Sequence, residues 1–437
     1  MKRVLIITYY WPPSGGAGVQ RWLKFVKYLR NYGWEPVVYT AQNPEAPALD
    51  HSLIKDVPQG LEVIRQPIWE PYAFYRKFVG LKKDDKISAG FLNENKKPSF
   101  AEKVAIWLRG NLFIPDARKF WIKPSVEFLI NYLQEYPVDA VVSTGPPHTT
   151  HLIALGIKKR LGLPWLADFR DPWTKIDFYD KLMLTPLANR RHHHLEKAVL
   201  KAADRIVTVS WNWAIDFEGL GASHTEVITN GFDPEDFPII NRNKPPTFLL
   251  THIGSLNKDR NPEFLWRVLG EMSKTNETFS QLLKIRFIGK TDFSVFESLK
   301  RNGLSGYTEK IDYLPHDEAL KLSADSAVLL LLINNTPNSL GIIPGKVFEY
   351  LATRRPILCI GPLAGDSTRI ITETNSGTVV DFDDETGLQT ALLALFNQYT
   401  NNELSQNETS IDQYSRKVLT GNIAKLLDHM SNTQTSK

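Results

Sequence analysis

The amino-acid sequence predicts an α/β protein made of two Rossmann-like domains, each built on a doubly wound parallel sheet. A chain of 437 residues is too long for one typical hydrophobic core, so two domains are expected. Near its start, an apolar strand, a glycine-rich loop, an amphipathic helix and a second strand follow one another, which is the order of a βαβ unit. The second half shows the same order of strand, glycine loop and helix from Phe248 onwards.

The first βαβ unit carries adjacent glycines, Gly15 and Gly16, in the loop Pro12–Gly18. A dinucleotide-binding dehydrogenase shares this order of elements but fits poorly, because the third glycine of its fingerprint would fall at Arg21. The second strand also ends without the acidic residue that binds an adenosine ribose. The loop therefore favours a different ligand, or a tight turn that needs a positive φ angle.

Composition places the chain among globular proteins, with 42% hydrophobic and 23% charged residues. The single cysteine, Cys359, excludes an intramolecular disulfide and fits a reducing cytosol. A net charge of +4 is too small to imply nucleic-acid binding. Since no apolar stretch approaches the roughly 20 residues needed to span a bilayer, we expect a cytoplasmic protein.

Aromatic and basic residues are concentrated in an insert at about 69–124. Residues 69–123 contain 12 Lys and Arg against 6 Asp and Glu, interleaved with 11 aromatic residues. Within the insert, Phe100–Leu112 predicts an amphipathic helix whose apolar face includes Phe100 and Trp107. Aromatic and basic residues together favour contact with an anionic membrane surface. The alternative is a helical insertion that packs its aromatic side chains into the core of the first domain.

The segment Leu340–Pro362 reads as a loop rich in glycine and proline, a short helix and a buried strand. A loop that leads into a helix leaves backbone N–H groups unpaired at the positive end of the helix dipole, which suits a phosphate. Those groups belong to Gly345, Lys346 and Val347, and the Lys346 side chain adds a positive charge. Glu349 lies one turn further on, near the position of a ribose. A surface pair of Lys346 and Glu349 in an ordinary αβ unit explains the same spacing.

The run Pro344–Ala352, followed by Arg355-Pro356-Ile357-Leu358, resembles the donor-binding segment of family 4 retaining glycosyltransferases of the GT-B fold. Many members carry two glutamates eight positions apart in this segment. Glu349 matches the second glutamate, which the resemblance assigns to the donor ribose. The first would fall at Gly341, and a subset of bacterial polysaccharide enzymes shows the same glycine-lysine version.

The resemblance extends to the glycine loops of both halves. Family members commonly have glycine-arginine after the first strand of the second half, then a basic residue five or six positions on, both facing the donor diphosphate. It therefore implies diphosphate contacts from Gly254, Ser255 and Arg260. In the first half it places Gly15 and Gly16 near the donor phosphates and the acceptor.

Two further loops of the first half follow neighbouring strands, where an open α/β sheet puts its ligand crevice. Family 4 enzymes often have a histidine close to the reacting sugar, and His148 is the nearest candidate, with His151 one turn on. A satisfied structural histidine is the alternative. The run Arg170-Asp171-Pro172-Trp173 resembles a motif of bacterial polysaccharide members, which implies that Asp171 positions an acceptor hydroxyl.

Three consecutive histidines, His192–His194, fall in a helix predicted over residues 177–203. Consecutive residues point in different directions around a helix, so they make a poor metal site. We expect them on a solvent-exposed face.

By resemblance, the two domains face each other across a cleft and a C-terminal helix returns to the first domain. We expect the acceptor-side domain over 1–240, the donor-binding domain over 247–400 and the returning helix over 407–431.

The same resemblance implies a glycosyltransferase that moves a sugar from a nucleoside-diphosphate sugar to a hydroxyl of a saccharide or lipid-linked saccharide. The reaction would be retaining, without a metal or other cofactor, and would serve surface polysaccharide or cell-envelope glycan synthesis at the inner face of the plasma membrane. Uridine and guanosine donors both fit. A nucleotide-sugar 2-epimerase of the same fold and a non-catalytic nucleotide-sugar-binding protein stay open as alternatives, the latter because of Gly341.

Overall fold

The computed structural model describes residues 1–46, 48–71, 100–237, 244–312, 314, 316–404 and 409–435. Residues 72–99 of the aromatic and basic insert, and the predicted start of the last helix at 407, lie outside the described residues. The chain forms two compact units. The first runs from Met1 to Asn230 and includes the last helix, and the second runs from Gly231 to Ser415.

The first unit is built on a seven-stranded sheet in the order β3-β2-β1-β4-β5-β6-β7, and all neighbouring strands are parallel. Its strands are β1 Lys2–Ile7, β2 Trp34–Ala41, β3 Glu62–Gln66, β4 Ala140–Gly145, β5 Trp165–Phe169, β6 Arg205–Thr208 and β7 Thr225–Val227. Its helices before the second unit are α1 Ala17–Leu29, α2 Phe100–Leu112, α3 Ile122–Glu135, α4 Thr149–Leu161, α5 Pro186–Ala202 and α6 Trp211–Gly219.

The second unit has a six-stranded parallel sheet in the order β10-β9-β8-β11-β12-β13. Its strands are β8 Phe248–Ile253, β9 Leu283–Ile288, β10 Thr308–Ile311, β11 Val328–Leu332, β12 Ile357–Ile360 and β13 Gly377–Val380. Its helices are α7 Glu263–Thr275, α8 Glu277–Leu282, α9 Phe293–Arg301, α10 His316–Ala324, α11 Lys346–Thr353, α12 Asp366–Glu373 and α13 Glu385–Thr400. The predicted α/β class, with two Rossmann-like parallel sheets, is confirmed.

Apolar residues cover both faces of the first sheet. Successive side chains of a strand point to opposite faces. In β1, Leu5 and Ile7 therefore join one buried cluster, and Val4 and Ile6 join another on the opposite face. In the second unit, β12 is buried along its whole length and contains Cys359, whose thiol pKa is raised to about 12 by burial.

The last helix, α14 Arg416–Thr435, belongs to the first unit and packs against α1. The Tyr32 hydroxyl donates a 2.8 Å hydrogen bond to the Lys417 carbonyl, and Lys2 Nζ lies 3.0 Å from an Asp428 carboxylate oxygen. Within the described part of the chain, every helix is too short or too polar to cross a membrane.

Helix α5 begins at Pro186, nine residues after the predicted start. The Thr185 hydroxyl accepts a 3.3 Å hydrogen bond from the Ala188 amide, and Pro186 occupies the first turn, where its missing N–H costs nothing. Together the hydroxyl and the proline fix the helix start.

The two aromatic side chains of α2 do not pack into the core of the first unit, as the alternative of a core-packed insertion required. Phe100 and Trp107 are 84% and 40% exposed, while Ala105, Ile106 and Gly110 are buried. The helix packs through its small residues because its neighbour lies very close. A Cβ atom on Gly110 would lie 2.7 Å from Leu184 Cδ2.

A fully buried ion pair joins α1 to the end of β5. Arg21 Nη2 lies 2.9 Å from Asp168 Oδ1, and neither side chain is exposed. Asp168 also accepts hydrogen bonds from the Trp22 indole and the Thr144 hydroxyl, and together with Arg21 they hold the pKa of Asp168 below its usual value despite burial. Arg21 donates further bonds to the carbonyls of Ile228 and Thr229. The pair therefore has its hydrogen-bonding groups satisfied.

We expect Asp168→Ala to destabilise the first unit by about 3–5 kcal/mol, because it leaves the Arg21 charge buried without its partner. Chemical denaturation followed by circular dichroism measures this loss. Asp428→Ala, which removes the exposed partner of Lys2, is the matched control and should cost less than about 1 kcal/mol. Equal effects of the two substitutions would contradict the assignment.

Candidate functional site

Lys346 stands at the first position of α11, where its side chain reaches the end of β8. Its Nζ donates a 2.6 Å hydrogen bond to the Ile253 carbonyl and lies 3.4 Å from His252 Nε2. His252 Nδ1 lies 3.1 Å from the Leu330 carbonyl, which only accepts, so Nδ1 carries the proton and Nε2 can accept from Lys346. His252 is fully buried, and burial and the Lys346 charge hold its pKa well below the usual value.

Desolvation and the nearby positive charge of Arg260 lower the pKa of Lys346 to about 7, although Glu349 acts in the opposite direction. The ammonium form is therefore only partly populated at neutral pH. A bound diphosphate would supply the opposite charge that favours this form.

Arg260 connects two loops of the second unit. Its Nε donates a 2.5 Å hydrogen bond to Asn334 Oδ1, and its Nη1 donates a 3.2 Å bond to the Ser255 carbonyl. It ends a short 3₁₀ turn just before α7, and its charge acts on Lys346. The structure thus brings Arg260, Ser255 and Lys346 together at the carboxyl ends of β8 and β11.

Gly254 and Gly289 allow the chain to pass closely beneath Lys346. Gly254 has a φ of +98°, and a Cβ atom there would lie 3.3 Å from Lys346 Nζ. Gly289 has a φ of +113°, and its Cβ would lie 3.1 Å from the Gly254 carbonyl oxygen. Any larger residue at either position would therefore be strained and would crowd this corner.

The expected contribution of Val347 is wrong in one respect. Its amide already donates a 3.0 Å hydrogen bond to the Pro344 carbonyl, and its side chain is fully buried. The first turn of the helix closes on the preceding proline, so this N–H is not an open donor. Gly345 is exposed with open space around its Cα, and Glu349 lies half-buried one turn beyond Lys346.

The first unit contains a cavity of about 370 Å³ at the carboxyl ends of β1, β4 and β5. Most of its lining comes from four groups of residues: the glycine loop, the loop before α4, the loop after β5, and the end of α2 with the segment that follows it. They include Gly15, Gly16, Gly18, Pro146, Pro147, His148, Arg170, Asp171, Trp173, Arg109, Phe113, Arg118 and Tyr179. The structure therefore brings four predicted residues, Gly15, Gly16, His148 and Asp171, to one cavity.

Arg170 ties three of these loops together. Its guanidinium donates to the Gly18 carbonyl at 2.9 Å and to the Pro146 carbonyl at 3.1 Å, and its Nε lies 3.6 Å from Asp171 Oδ2. Burial raises the pKa of Asp171, although the Arg170 charge partly offsets that effect. The close approach depends on Gly18, where a Cβ atom would lie 3.3 Å from Arg170 Nη1.

His148 is buried and stacks on Trp173, with ring centroids 4.7 Å apart and planes 2° from parallel. Among the described residues, no group hydrogen-bonds its Nδ1 atom. Burial and the neighbouring His151 hold the pKa of His148 well below its usual value, so the ring is neutral at pH 7. A neutral imidazole in a cavity can accept or donate a proton.

His151, the other histidine of this region, is a core residue. It is fully buried, with Nδ1 2.8 Å from the Ser143 hydroxyl, and burial lowers its pKa to about 3. A Cβ atom on Gly145 would lie only 2.6 Å from His151 Nε2. His151 is therefore a neutral, hydrogen-bonded residue of the core, as the structural alternative in the sequence analysis describes.

The prediction that His192–His194 form a solvent-exposed face is wrong for His192. This residue is buried and lines the cavity, whereas His193 and His194 are exposed. One residue of the run faces inward because consecutive positions on a helix are about 100° apart.

Sequence reasoning also missed Arg109 and Arg118 as cavity residues. Both fall in the aromatic and basic insert. The excess of positive charge in that insert was the sequence feature that could have pointed to them. Arg118 is buried, lies 2.9 Å from a Glu70 carboxylate oxygen and sits 4.6 Å from the Tyr9 ring centroid. Part of the insert therefore builds the wall of the cavity.

No family model matches the chain, and no curated protein matches its sequence. Solved structures match over nearly the whole length. A glycosyltransferase from Rickettsia africae has a TM-score of 0.60 at 13% identity and covers 98% of each chain. The Anabaena protein HepE, solved in complex with UDP, has a TM-score of 0.61 at 13% identity, covering 98% of this chain and 100% of HepE. The chain has the GT-B fold.

A structure from Listeria monocytogenes described as a UDP-N-acetylglucosamine 2-epimerase is also similar, with a TM-score of 0.55 at 10% identity, covering 98% of this chain and 97% of that one. Identities at this level establish the fold alone.

The low pKa of Lys346 predicts pH-dependent anion binding. A bound diphosphate raises this pKa, so binding takes up a proton once the free side chain is neutral. Affinity for UDP-glucose should fall by up to about tenfold per pH unit as the pH rises above about 7. Calorimetric titrations in buffers of different ionisation enthalpy measure both the affinity and the proton uptake.

Lys346→Arg is the matched control, because a guanidinium stays charged throughout this range and should flatten the pH profile. An unchanged profile in Lys346→Arg would contradict the role given to Lys346.

Proposed function

We propose that the chain is a glycosyltransferase that moves a sugar from a nucleoside diphosphate to a hydroxyl group. One observation carries this proposal: Lys346 and Arg260 converge at the carboxyl ends of β8 and β11, beside the start of α11. This is where an open α/β sheet binds its ligand. The similarity to a UDP complex of the same fold supports a nucleotide ligand.

The chemical problem in this reaction is the diphosphate, which gathers negative charge as the bond to the sugar lengthens. Arg260, Lys346 and the dipole of α11 would stabilise that charge more in the transition state than in the ground state. Gly254, Ser255 and Gly345 would let the backbone approach the phosphates, and Glu349 would bind the ribose. We propose retention of configuration and catalysis without a metal, with the two fixed cations supplying the positive charge.

The cavity of the first unit is proposed to bind the saccharide acceptor. Aromatic rings of Phe113, Trp173 and Tyr179 line it beside the polar groups of His148 and Asp171. Apolar walls with a few placed polar groups are typical of small-ligand sites. Asp171 would orient the acceptor hydroxyl, with His148 close to the reacting sugar, and Gly15 and Gly16 would let the backbone approach both ligands.

We further propose that the protein acts in surface polysaccharide or envelope glycan synthesis, at the cytoplasmic face of the membrane on a lipid-linked acceptor. The support is the exposed aromatic surface of the first unit. Phe100 and Trp107 are exposed on α2, and Trp69 and Phe120 are about half exposed and in contact, with ring centroids 5.0 Å apart. Lys119 Nζ lies 5.1 Å from the Phe120 ring centroid. Such a combination suits the headgroup region of an anionic bilayer.

A nucleotide-sugar 2-epimerase is the second candidate, favoured by the similarity to the Listeria structure. Incubation of the nucleotide sugar without an acceptor distinguishes the two functions. Only an epimerase converts it to the nucleotide sugar with the opposite configuration at C2. Nucleotide binding without turnover under any condition would instead indicate a non-catalytic binding protein.

Arg260→Ala and Lys346→Ala should each lower turnover by about 10²–10³-fold, because each removes a fixed cation from the leaving diphosphate. UDP-glucose, UDP-N-acetylglucosamine and GDP-mannose, ranked first by thermal stabilisation of the protein, supply the donor for the assay. Lys284→Ala, which removes an exposed cation from the same unit, is the control and should leave turnover unchanged. Full activity in both site variants would remove the proposed mechanism.

The double substitution Phe100→Ser with Trp107→Ser should weaken binding to anionic vesicles by roughly tenfold or more, because two aromatic side chains no longer enter the interface. Flotation with vesicles of phosphatidylglycerol and phosphatidylcholine measures the bound fraction. Phe293→Ser removes an equally apolar side chain, 70% exposed in the second unit, and should have no effect. Identical flotation of all three proteins would contradict membrane contact through α2.

A further inference from the structure

Two residues of α5, one helical turn apart, hold the segment that follows Asp171. The Glu196 carboxylate is buried and accepts bonds from the amides of Trp173 and Thr174, each at 3.3 Å, and from the Thr174 hydroxyl at 2.5 Å. His192 is buried four residues earlier, on the same face of the helix, and contacts the Trp173 side chain. Backbone and side chain of Trp173 are therefore both fixed by α5.

The partners of His192 determine its tautomer. The Trp173 indole N–H only donates, and it lies 3.0 Å from His192 Nδ1, so Nδ1 must be the acceptor. The other nitrogen, Nε2, then carries the proton and faces the Gly110 carbonyl at 3.3 Å. The neutral His192 ring thus links Trp173 to α2: Nδ1 accepts a hydrogen bond from the indole, and Nε2 donates toward the Gly110 carbonyl.

The indole held in this way forms the surface on which His148 rests. The two rings stack in parallel at 4.7 Å, and Trp173 is itself only 3% exposed, so the indole has little room to rotate. The orientation of the His148 imidazole in the cavity therefore depends on the orientation of Trp173. That orientation in turn depends on the hydrogen bond to His192.

We propose that His192 is a positioning residue of the first-unit site, which acts through the Trp173 indole to set the orientation of His148. This inference rests on the proposed function for its kinetic consequence. His192 belongs to the first unit, whereas the proposed diphosphate contacts of Lys346 and Arg260 belong to the second. Its loss should therefore reduce the rate of the chemical step and leave donor affinity unchanged.

Two substitutions of similar shape isolate the hydrogen bond. Asparagine places an amide oxygen near the position of Nδ1 and can still accept from the indole, whereas leucine has the same branched shape and cannot. His192→Leu should lower kcat by about tenfold to a hundredfold without a change in KM for the donor, because a small misplacement of a reacting group is costly. His192→Asn should recover most of the loss. His194→Ala, an exposed neighbour on the same helix, is the control.

The assay uses UDP-glucose, UDP-N-acetylglucosamine or GDP-mannose, whichever stabilises the protein most, with transfer to water or to methyl glycosides. The indole N–H proton of Trp173, assigned by its absence in Trp173→Phe, gives a second measurement by NMR. Its resonance should shift and exchange faster with water in His192→Leu, and stay near the wild-type position in His192→Asn.

Wild-type kcat in His192→Leu, or equal losses in the asparagine and leucine variants together with a raised donor KM, would overturn the inference. A wild-type protein that binds no nucleotide sugar would instead overturn the proposed function, and the kinetic part of this inference with it. The NMR measurement would still decide whether the bond between His192 and Trp173 orients the indole.

Discussion

The buried pair of Arg21 and Asp168 is the interaction on which the first unit depends. Arg21 lies on α1, which starts at Ala17 directly after Gly16, and Asp168 lies two residues before Arg170, so the pair fixes two walls of the cavity relative to each other. A buried charge without its partner is costly, which makes this arrangement intolerant of change on either side. Arg21 stands where a dinucleotide-binding protein would have the third glycine of its fingerprint. In this chain the position supplies the positive charge of a buried ion pair.

In both units the candidate binding residues lie at the carboxyl ends of parallel strands. The surroundings of the positively charged side chain differ between the two. In the first unit, Arg170 is bound by two carbonyls and a carboxylate, so its position is fixed before any ligand arrives. In the second, Lys346 donates to a carbonyl beside a neutral His252, and burial and the nearby charge of Arg260 lower its pKa. The first arrangement suits orientation of a neutral ligand, and the second suits capture of an anion.

Local sequence patterns predicted the fold and part of the candidate site. Strand and glycine-loop order predicted both sheets. Short motifs and the family resemblance singled out four site candidates: Lys346 begins a helix after a glycine-proline loop, and Arg260, His148 and Asp171 lie in segments that follow strands. His192 and Arg118 were missed because their proximity to the cavity arises only when distant segments pack together. The face through which α2 packs was missed for a related reason: Gly110 packs closely against Leu184, and no periodicity within the helix reveals that neighbour.

Cys359 lies at the centre of a buried strand, and it is the only cysteine in the chain. Its raised pKa keeps the sulfur protonated, and the thiolate is the form that alkylating reagents attack. We therefore expect Cys359 to react very slowly with maleimides in the folded protein. A cysteine introduced at an exposed position can therefore carry a fluorophore or spin label on an otherwise unaltered background.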